Sequence, residues 1–192
     1  MTKTDNAALD AKLTIRRRML SKYQGQGMPW KVLDCCAGSR EIWKVLTREY
    51  ACQYTGLDLK RRPGVLRMDS RRFLREAKEI CYDVIDIDTY GLPWKHYQLL
   101  CEKVSHACIV FLTVGQRMIG GGGRADTVAM QELGIKPSWP IPNTLGALAH
   151  EKYLNICLAM PYRYGMVLTE VIESTVMVRA TRYYAVRMEP ET

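Results

Sequence analysis

Five carboxylates stand at the ends of short apolar runs: Asp34 after Val32-Leu33, Asp58 after Gly56-Leu57, Asp69 after Leu66-Arg67-Met68, and Asp86 and Asp88 interleaved with Ile85 and Ile87. Each position allows a definite chemistry. Asp34 opens a small turn, Cys35-Cys36-Ala37-Gly38-Ser39-Arg40, whose glycine lets a ligand come close to the backbone and whose following helix offers free N–H groups. Asp58 can accept both hydroxyls of a ribose, or serve as a solvated strand end. Asp69-Ser70 can meet an adenine amine, or cap the next helix. Two acids ending a buried strand are costly unless they serve something, and the two-residue spacing of Asp86 and Asp88 puts them on one face. Thr89-Tyr90-Gly91-Leu92-Pro93-Trp94 follows, a rigid turn bearing flat side chains.

The elements that must position these acids are legible in the apolar periodicity. Strands are predicted over Val32–Cys36, Gln53–Leu57, Gly64–Met68, Asp83–Ile87 and Ala107–Val114, with helices over Arg40–Tyr50, Ser70–Lys78 and from Pro93 to Val104. Gly120 to Gly123 reads as a loop, beside the site or simply on the surface. A helix over Leu145–Ala159 and a closing hairpin (Gly165–Thr169 with Val171-Ile172, then Thr175–Met188) complete the pattern. Repeated strand–helix units imply an α/β fold with a doubly wound, mostly parallel sheet. Ahead of it, Asp5 or Asn6 can cap a helix running to Tyr23 with Leu9, Leu13 and Leu20 near one face; Gly25, Gly27 and Pro29 end it. The expected division is residues 1–28 as a basic helix and linker, and 29–192 as the main domain.

Composition narrows the function. The 192 residues carry a net charge of +8, which favours a polyanionic partner, nucleic acid above all. Arg16, Arg17 and Arg18 are the expected phosphate contacts, the alternative being a solvated or salt-bridged helix face; Arg124 and Lys136 can extend the same surface. No 18-residue apolar run and no apolar leader occur, so neither a membrane span nor a secretory signal is expected, and the location expected is cytoplasmic. Seven cysteines without a C-x-x-C pair give neither a disulfide framework nor a zinc knuckle, and His96, His106 and His150 lack ligand spacing, so no metal is expected. Trp30, Trp43 and Trp139 read as packing residues; Trp94, beside the fourth turn, merits a test.

Taken in order, the four strand ends resemble those of class I S-adenosylmethionine (SAM)-dependent methyltransferases. Asp34 to Arg40 is similar to the first SAM motif, Asp58 to the ribose-binding acid, and Asp69-Ser70 to the adenine-contacting pair. Asp88-Thr89-Tyr90-Gly91 resembles the Asp/Asn-Pro-Pro-Tyr/Phe motif of amino-methylating members, and more closely the Asp-Pro-Phe/Tyr-Gly-x-Pro form of tRNA guanine-N2 dimethyltransferases. Two positions depart: Arg40 replaces the second glycine of Gly-x-Gly, and Thr89 replaces the proline after the acid.

The resemblance implies a Rossmann-like sheet of order 3-2-1-4-5-7-6 with the last strand antiparallel, and SAM as cofactor. Asp34, Cys35, Ala37, Gly38, Ser39, Asp58, Leu59, Asp69 and Ser70 would line the cofactor site, with Asp86 at its methionine portion. It implies methyl transfer to an exocyclic base nitrogen of RNA, possibly tRNA, or DNA. Asp88 and the Thr89 carbonyl would accept the amine N–H groups, Tyr90 would stack on the base, and Gly91 and Pro93 would shape the turn. A small-molecule or protein methyltransferase would share the cofactor residues. A non-catalytic Rossmann-like module that binds nucleic acid or a partner is the further alternative, and Arg40 and Thr89 speak for it.

Overall fold

Strands of alternating or continuous apolar character pair here as their connections require. The computed structural model describes residues 8–24, 28–89, 92–115, 154–174 and 181–192. Helix α1 (Leu9–Tyr23) precedes β1 (Trp30–Asp34), α2 (Glu41–Glu49), β2 (Cys52–Asp58), β3 (Leu66–Arg67), α3 (Ser70–Glu76), β4 (Val84–Ile87), α4 (Trp94–Cys101) and β5 (Cys108–Gly115). A short 3-10 helix (Met160–Tyr164), β6 (Met166–Glu173) and β7 (Thr181–Pro190) follow. The seven strands form one sheet in the order β3-β2-β1-β4-β5-β7-β6. The first five pair in parallel, and β7 lies antiparallel between β5 and β6. The α/β fold is the one expected from the strand–helix pattern, and the strand order is the one the resemblance implies.

Parallel neighbours require crossovers, which cover both faces of the sheet. Because successive strand residues point to opposite faces, Leu33, Ile85 and Val110 enter one core, which α4 helps to fill with Trp94, Tyr97 and Leu100. Val32, Val84, Ile109 and Phe111 enter the other, which is closed by α1 and α2. Helix α1 is an integral part of that second layer: Met19 and Leu20 are fully buried, each worth about 1.5–3 kcal/mol. Helix α2 buries Ile42, Trp43 and Leu46 against the same layer.

One element differs clearly from the sequence reading. Strand β3 keeps only Leu66–Arg67 of the expected Gly64–Met68, because Gly64 takes a positive φ of 68° in a turn closed by the Arg62–Val65 bridge. Strand β6 runs over Met166–Glu173, as the reading through Val171-Ile172 expects, with a register shift between Leu168 and Glu170. Asp5, Asn6, Gly25, Gly27, Tyr90, Gly91, Gly120 to Arg124, Lys136, Trp139 and His150 lie outside the described residues, as do most of the helix expected from Leu145 and the hairpin tip from Thr175. No helix among the described residues is long and apolar enough to cross a membrane.

Candidate active site at the carboxyl ends of the strands

The chain order reverses between β1 and β4, and the crevice beyond the carboxyl ends of such strands is where open α/β sheets bind ligands. Asp34 and Asp58 end β1 and β2, Asp69 follows β3, and Asp86 and Asp88 lie at the end of β4. These are adjacent parallel strands, so all five acids stand on one edge of the sheet.

The first turn is held by the second strand. The Ala37 N–H donates to the Leu57 carbonyl at 2.9 Å, and the Gly38 N–H donates to Asp58 Oδ2 at 3.0 Å. The other Asp58 oxygen accepts the Lys60 N–H at 2.7 Å. Arg40 adopts the left-handed conformation, with φ 62°, that the missing glycine would take without strain. Its N–H donates to the Ala37 carbonyl at 2.7 Å, and its guanidinium lies 4.6 Å from the centre of the Tyr54 ring, a contact that offsets part of the strain. Ser39 is exposed at the rim, whereas Cys35 is buried in the α4-side core and its N–H donates to the Asp86 carbonyl at 2.9 Å.

Behind this turn lies a buried row of charge. Parallel register aligns Gly56, Asp34, Asp86 and Phe111 across four strands. Asp86 is held by three donors: Arg16 donates to both of its oxygens, Nε at 2.8 Å and Nη2 at 2.6 Å, and Trp43 Nε1 adds a third bond at 2.8 Å. The Arg16 guanidinium also lies 5.0 Å from the centre of the Phe111 ring. Four residues earlier on α1, Lys12 Nζ donates to Asp88 Oδ2 at 2.5 Å and lies 5.6 Å from the centre of the Tyr183 ring. Asp34 accepts from the Tyr54 hydroxyl at 2.9 Å and the Cys36 N–H at 3.2 Å. Tyr54 reaches it across Gly56, where a Cβ would lie 2.6 Å from the tyrosine oxygen. Burial, reinforced by the neighbouring Asp86, pushes the Asp34 carboxyl well above the usual range. Three carboxylates therefore face two cations, and Asp34 is the acid of the three that neither cation pairs with.

The third turn is built as a cap. One Asp69 oxygen, Oδ1, accepts the Arg71 and Arg72 N–H groups at 2.8 and 3.3 Å. Ser70 is buried, its hydroxyl 3.0 Å from His96 Nε2, and burial lowers the His96 pKa to about 4. Burial likewise pushes the Cys36 thiol up to about 12. Leu59 and Met68, beside Asp58 and Asp69 in sequence, are 69% and 42% exposed. In the fourth turn Asp88 and Thr89 are half-buried, and Pro93 precedes α4 from a buried position. Trp94 is buried in the core and presents no face for a base. No group of His, Cys, Asp and Glu among the described residues could hold a metal ion.

Two predicted site residues are turned inward. Asp86 is 1% exposed, and its oxygens accept three hydrogen bonds from Arg16 and Trp43, which makes it a support of the site wall. Arg16 cannot reach a phosphate, because its side chain is buried on Asp86; Arg17 pairs with Glu49 at 2.5 Å, and Arg18 is exposed. Sequence reasoning missed Lys12, Trp43 and Tyr54 as supports of the site. The available signal was the Lys12/Arg16 spacing of four, which matches one helix face to the Asp86/Asp88 pair.

No protein-family model matches the sequence, and no curated protein does either. Among solved structures, Trm1 from Pyrococcus horikoshii, in complex with S-adenosyl-L-methionine, superposes with TM-score 0.67 at 14% identity, covering 95% of this chain and 54% of that one. The two share a fold. This chain therefore spans about half the length of that archaeal protein. YhhF of Escherichia coli, assigned as a methyltransferase, gives TM-score 0.57 at 13% identity over 98% of this chain and 90% of its own. The plantazolicin methyltransferase BamL, in complex with a triazolic desmethylPZN analogue and SAH, gives 0.55 at 11% over 97% and 87%.

Proposed function

We propose that the chain is a SAM-dependent methyltransferase acting on an exocyclic amino nitrogen of a nucleic-acid base. The observation that carries this reading is the single edge holding Asp58, Asp69 and Asp88 at the switch point of a sheet shared with proteins solved with SAM or SAH.

The residues present fit the cofactor. Each Asp58 oxygen accepts one backbone N–H and keeps lone pairs for a ribose hydroxyl. Exposed Leu59 and Met68 offer apolar walls for an adenine ring, and Asp69 Oδ2 is free among the described residues to accept its amine. Ala37, Gly38 and Ser39 would line the remaining side, with Asp34, Cys35 and Ser70 shaping the crevice from behind. When bound, SAM supplies an electrophilic methyl group on a sulfonium.

Asp88 supplies the complementary part. Lys12 binds Oδ2 and fixes the carboxylate, leaving Oδ1 free among the described residues to accept an N–H of the target amine. That contact orients the nitrogen lone pair and strengthens as positive charge develops on nitrogen. The surplus proton leaves through Asp88 Oδ1. Thr89 would add its carbonyl, Tyr90 a stacking surface, and Gly91 and Pro93 the turn. A base within a duplex would first be flipped out.

A radiolabelled-methyl transfer assay on total tRNA, rRNA and DNA tests the reading. Asp88→Ala is expected to lower transfer by about 10²–10⁴-fold with SAM binding retained; near-normal transfer overturns the role of Asp88. A second reading, a small-molecule or peptide methyltransferase, is favoured by one observation: Lys12, Arg16, Arg17 and Lys22 of the basic helix are all paired with the protein's own acids. Transfer to none of the nucleic acids would select it.

A further inference from the structure

The positive charge left free by these internal pairs lies elsewhere. Residues 60–75, Lys-Arg-Arg-Pro-Gly-Val-Leu-Arg-Met-Asp-Ser-Arg-Arg-Phe-Leu-Arg, hold seven basic residues against one acid, a net +6 of the chain's +8. They form one corner of the fold, from the end of β2 through edge strand β3 into α3. Ser70 and Leu74 face inward on α3, which leaves Arg71, Arg72 and Arg75 exposed together. Lys60, Arg61 and Arg67 are exposed on the strand side of the corner. Among the described residues only Arg72 of this group has an ion-pair partner, Glu76, and the one acid of the corner, Asp69, is turned onto the helix backbone. Leu66 is 56% exposed between the cations.

Concentrated, unpaired guanidinium groups interleaved with apolar side chains complement a sugar–phosphate backbone, because the phosphates take the charge and the sugars and bases the apolar surface. We propose that this corner, and not α1, binds the backbone of the nucleic-acid substrate, with Arg61, Arg67, Arg71 and Arg75 as the phosphate contacts. It begins two residues after Asp58 and surrounds Asp69, so a strand bound there runs along the rim of the crevice. The assignment rests on nucleic acid being the substrate, and it is separable from that reading by experiment.

The test measures fluorescence anisotropy with a labelled 30-nucleotide single-stranded RNA, the DNA of the same sequence and its duplex, over a salt series. The full chain is compared with the quadruple variant R61Q/R67Q/R71Q/R75Q, the charge-keeping R61K/R67K/R71K/R75K, and R18Q on α1. Loss of four phosphate contacts is expected to reduce the slope of log K against log salt by about 3 for a single strand. The lysine variant should keep most of the slope, and R18Q should change it by less than one contact. The RNA and DNA arms show which polymer is preferred. An unchanged slope in the quadruple glutamine variant, while the full chain methylates nucleic acid, overturns the assignment and leaves the function standing. Absence of both binding and methylation by the full chain overturns the function and this assignment with it. Equal competition by polyglutamate at matched charge also overturns it, because the corner would then be a dock for acidic protein.

Discussion

Arg16 grips Asp86 with both ends of its fork, at 2.8 and 2.6 Å, in a site where each side chain is 2% exposed. Removing one partner leaves a buried, uncompensated charge. Arg16→Leu is therefore expected to cost about 3–5 kcal/mol. At about 2–4 °C per kcal/mol for a chain of this size, the melting temperature should fall by roughly 6–20 °C. The double replacement R16L/D86L should recover much of that loss, and calorimetry on the three variants checks it. Equal destabilisation by the single and double variants would contradict the pairing.

Asp34 carries the opposite expectation. Its carboxyl is raised by burial and by Asp86, so the stability linked to it is present at acid pH and declines as pH rises through its folded value. Asn keeps the acceptor for Cys36 and removes the repulsion. Asp34→Asn should raise stability at pH 8 by on the order of 1 kcal/mol and leave it nearly unchanged at pH 4. Urea titrations at the two pH values decide the matter, a loss at pH 8 being the adverse result.

His96 is held neutral, with a pKa near 4, by burial first and the nearby Arg71 second. The unfolded chain takes up a proton near pH 6.5, so the stability linked to this ring is complete above that pH. It is lost as pH falls toward 4, by at most about 1.4 kcal/mol per pH unit. His96→Gln should flatten this limb of the stability–pH curve, as measured by denaturant midpoints.

The thiols separate by environment. Cys36 lies in the crevice but its pKa is raised to about 12, so only roughly one molecule in ten thousand carries a thiolate at pH 8. Cys81 is exposed. Iodoacetamide on the native protein should modify Cys81 and spare Cys36, as read by peptide mass mapping; rapid labelling of Cys36 would show the crevice to be more open than it is here.

The sheet was readable because each strand carries its own apolar run and each acid ends one: Val32-Leu33 before Asp34 and Val84-Ile85 before Asp86 need no tertiary information. The partners of those acids are only faintly marked. Arg16 lies 70 residues from Asp86, and its spacing of four from Lys12 is the one local feature that sets it apart from Arg18, which is exposed. Basic residues in a row on a helix face different ways, and only docking decides which charge is spent inside. The same limit hid Tyr54, whose contact with Asp34 depends on the empty space above Gly56. In β3 a run of apolar character was read as a longer strand because the Gly64 turn is a matter of φ, not hydropathy.

Four residues of helix advance about 6 Å and two of strand about 6.6 Å, so α1 and β4 keep step over one repeat. Lys12 and Arg16 thereby meet Asp88 and Asp86 at once. Trimming the chain back to residue 29 would strand two anions above an uncovered Phe111. The minimal folding unit accordingly begins upstream of the sheet, and deletion of α1 should yield aggregation rather than a smaller folded domain.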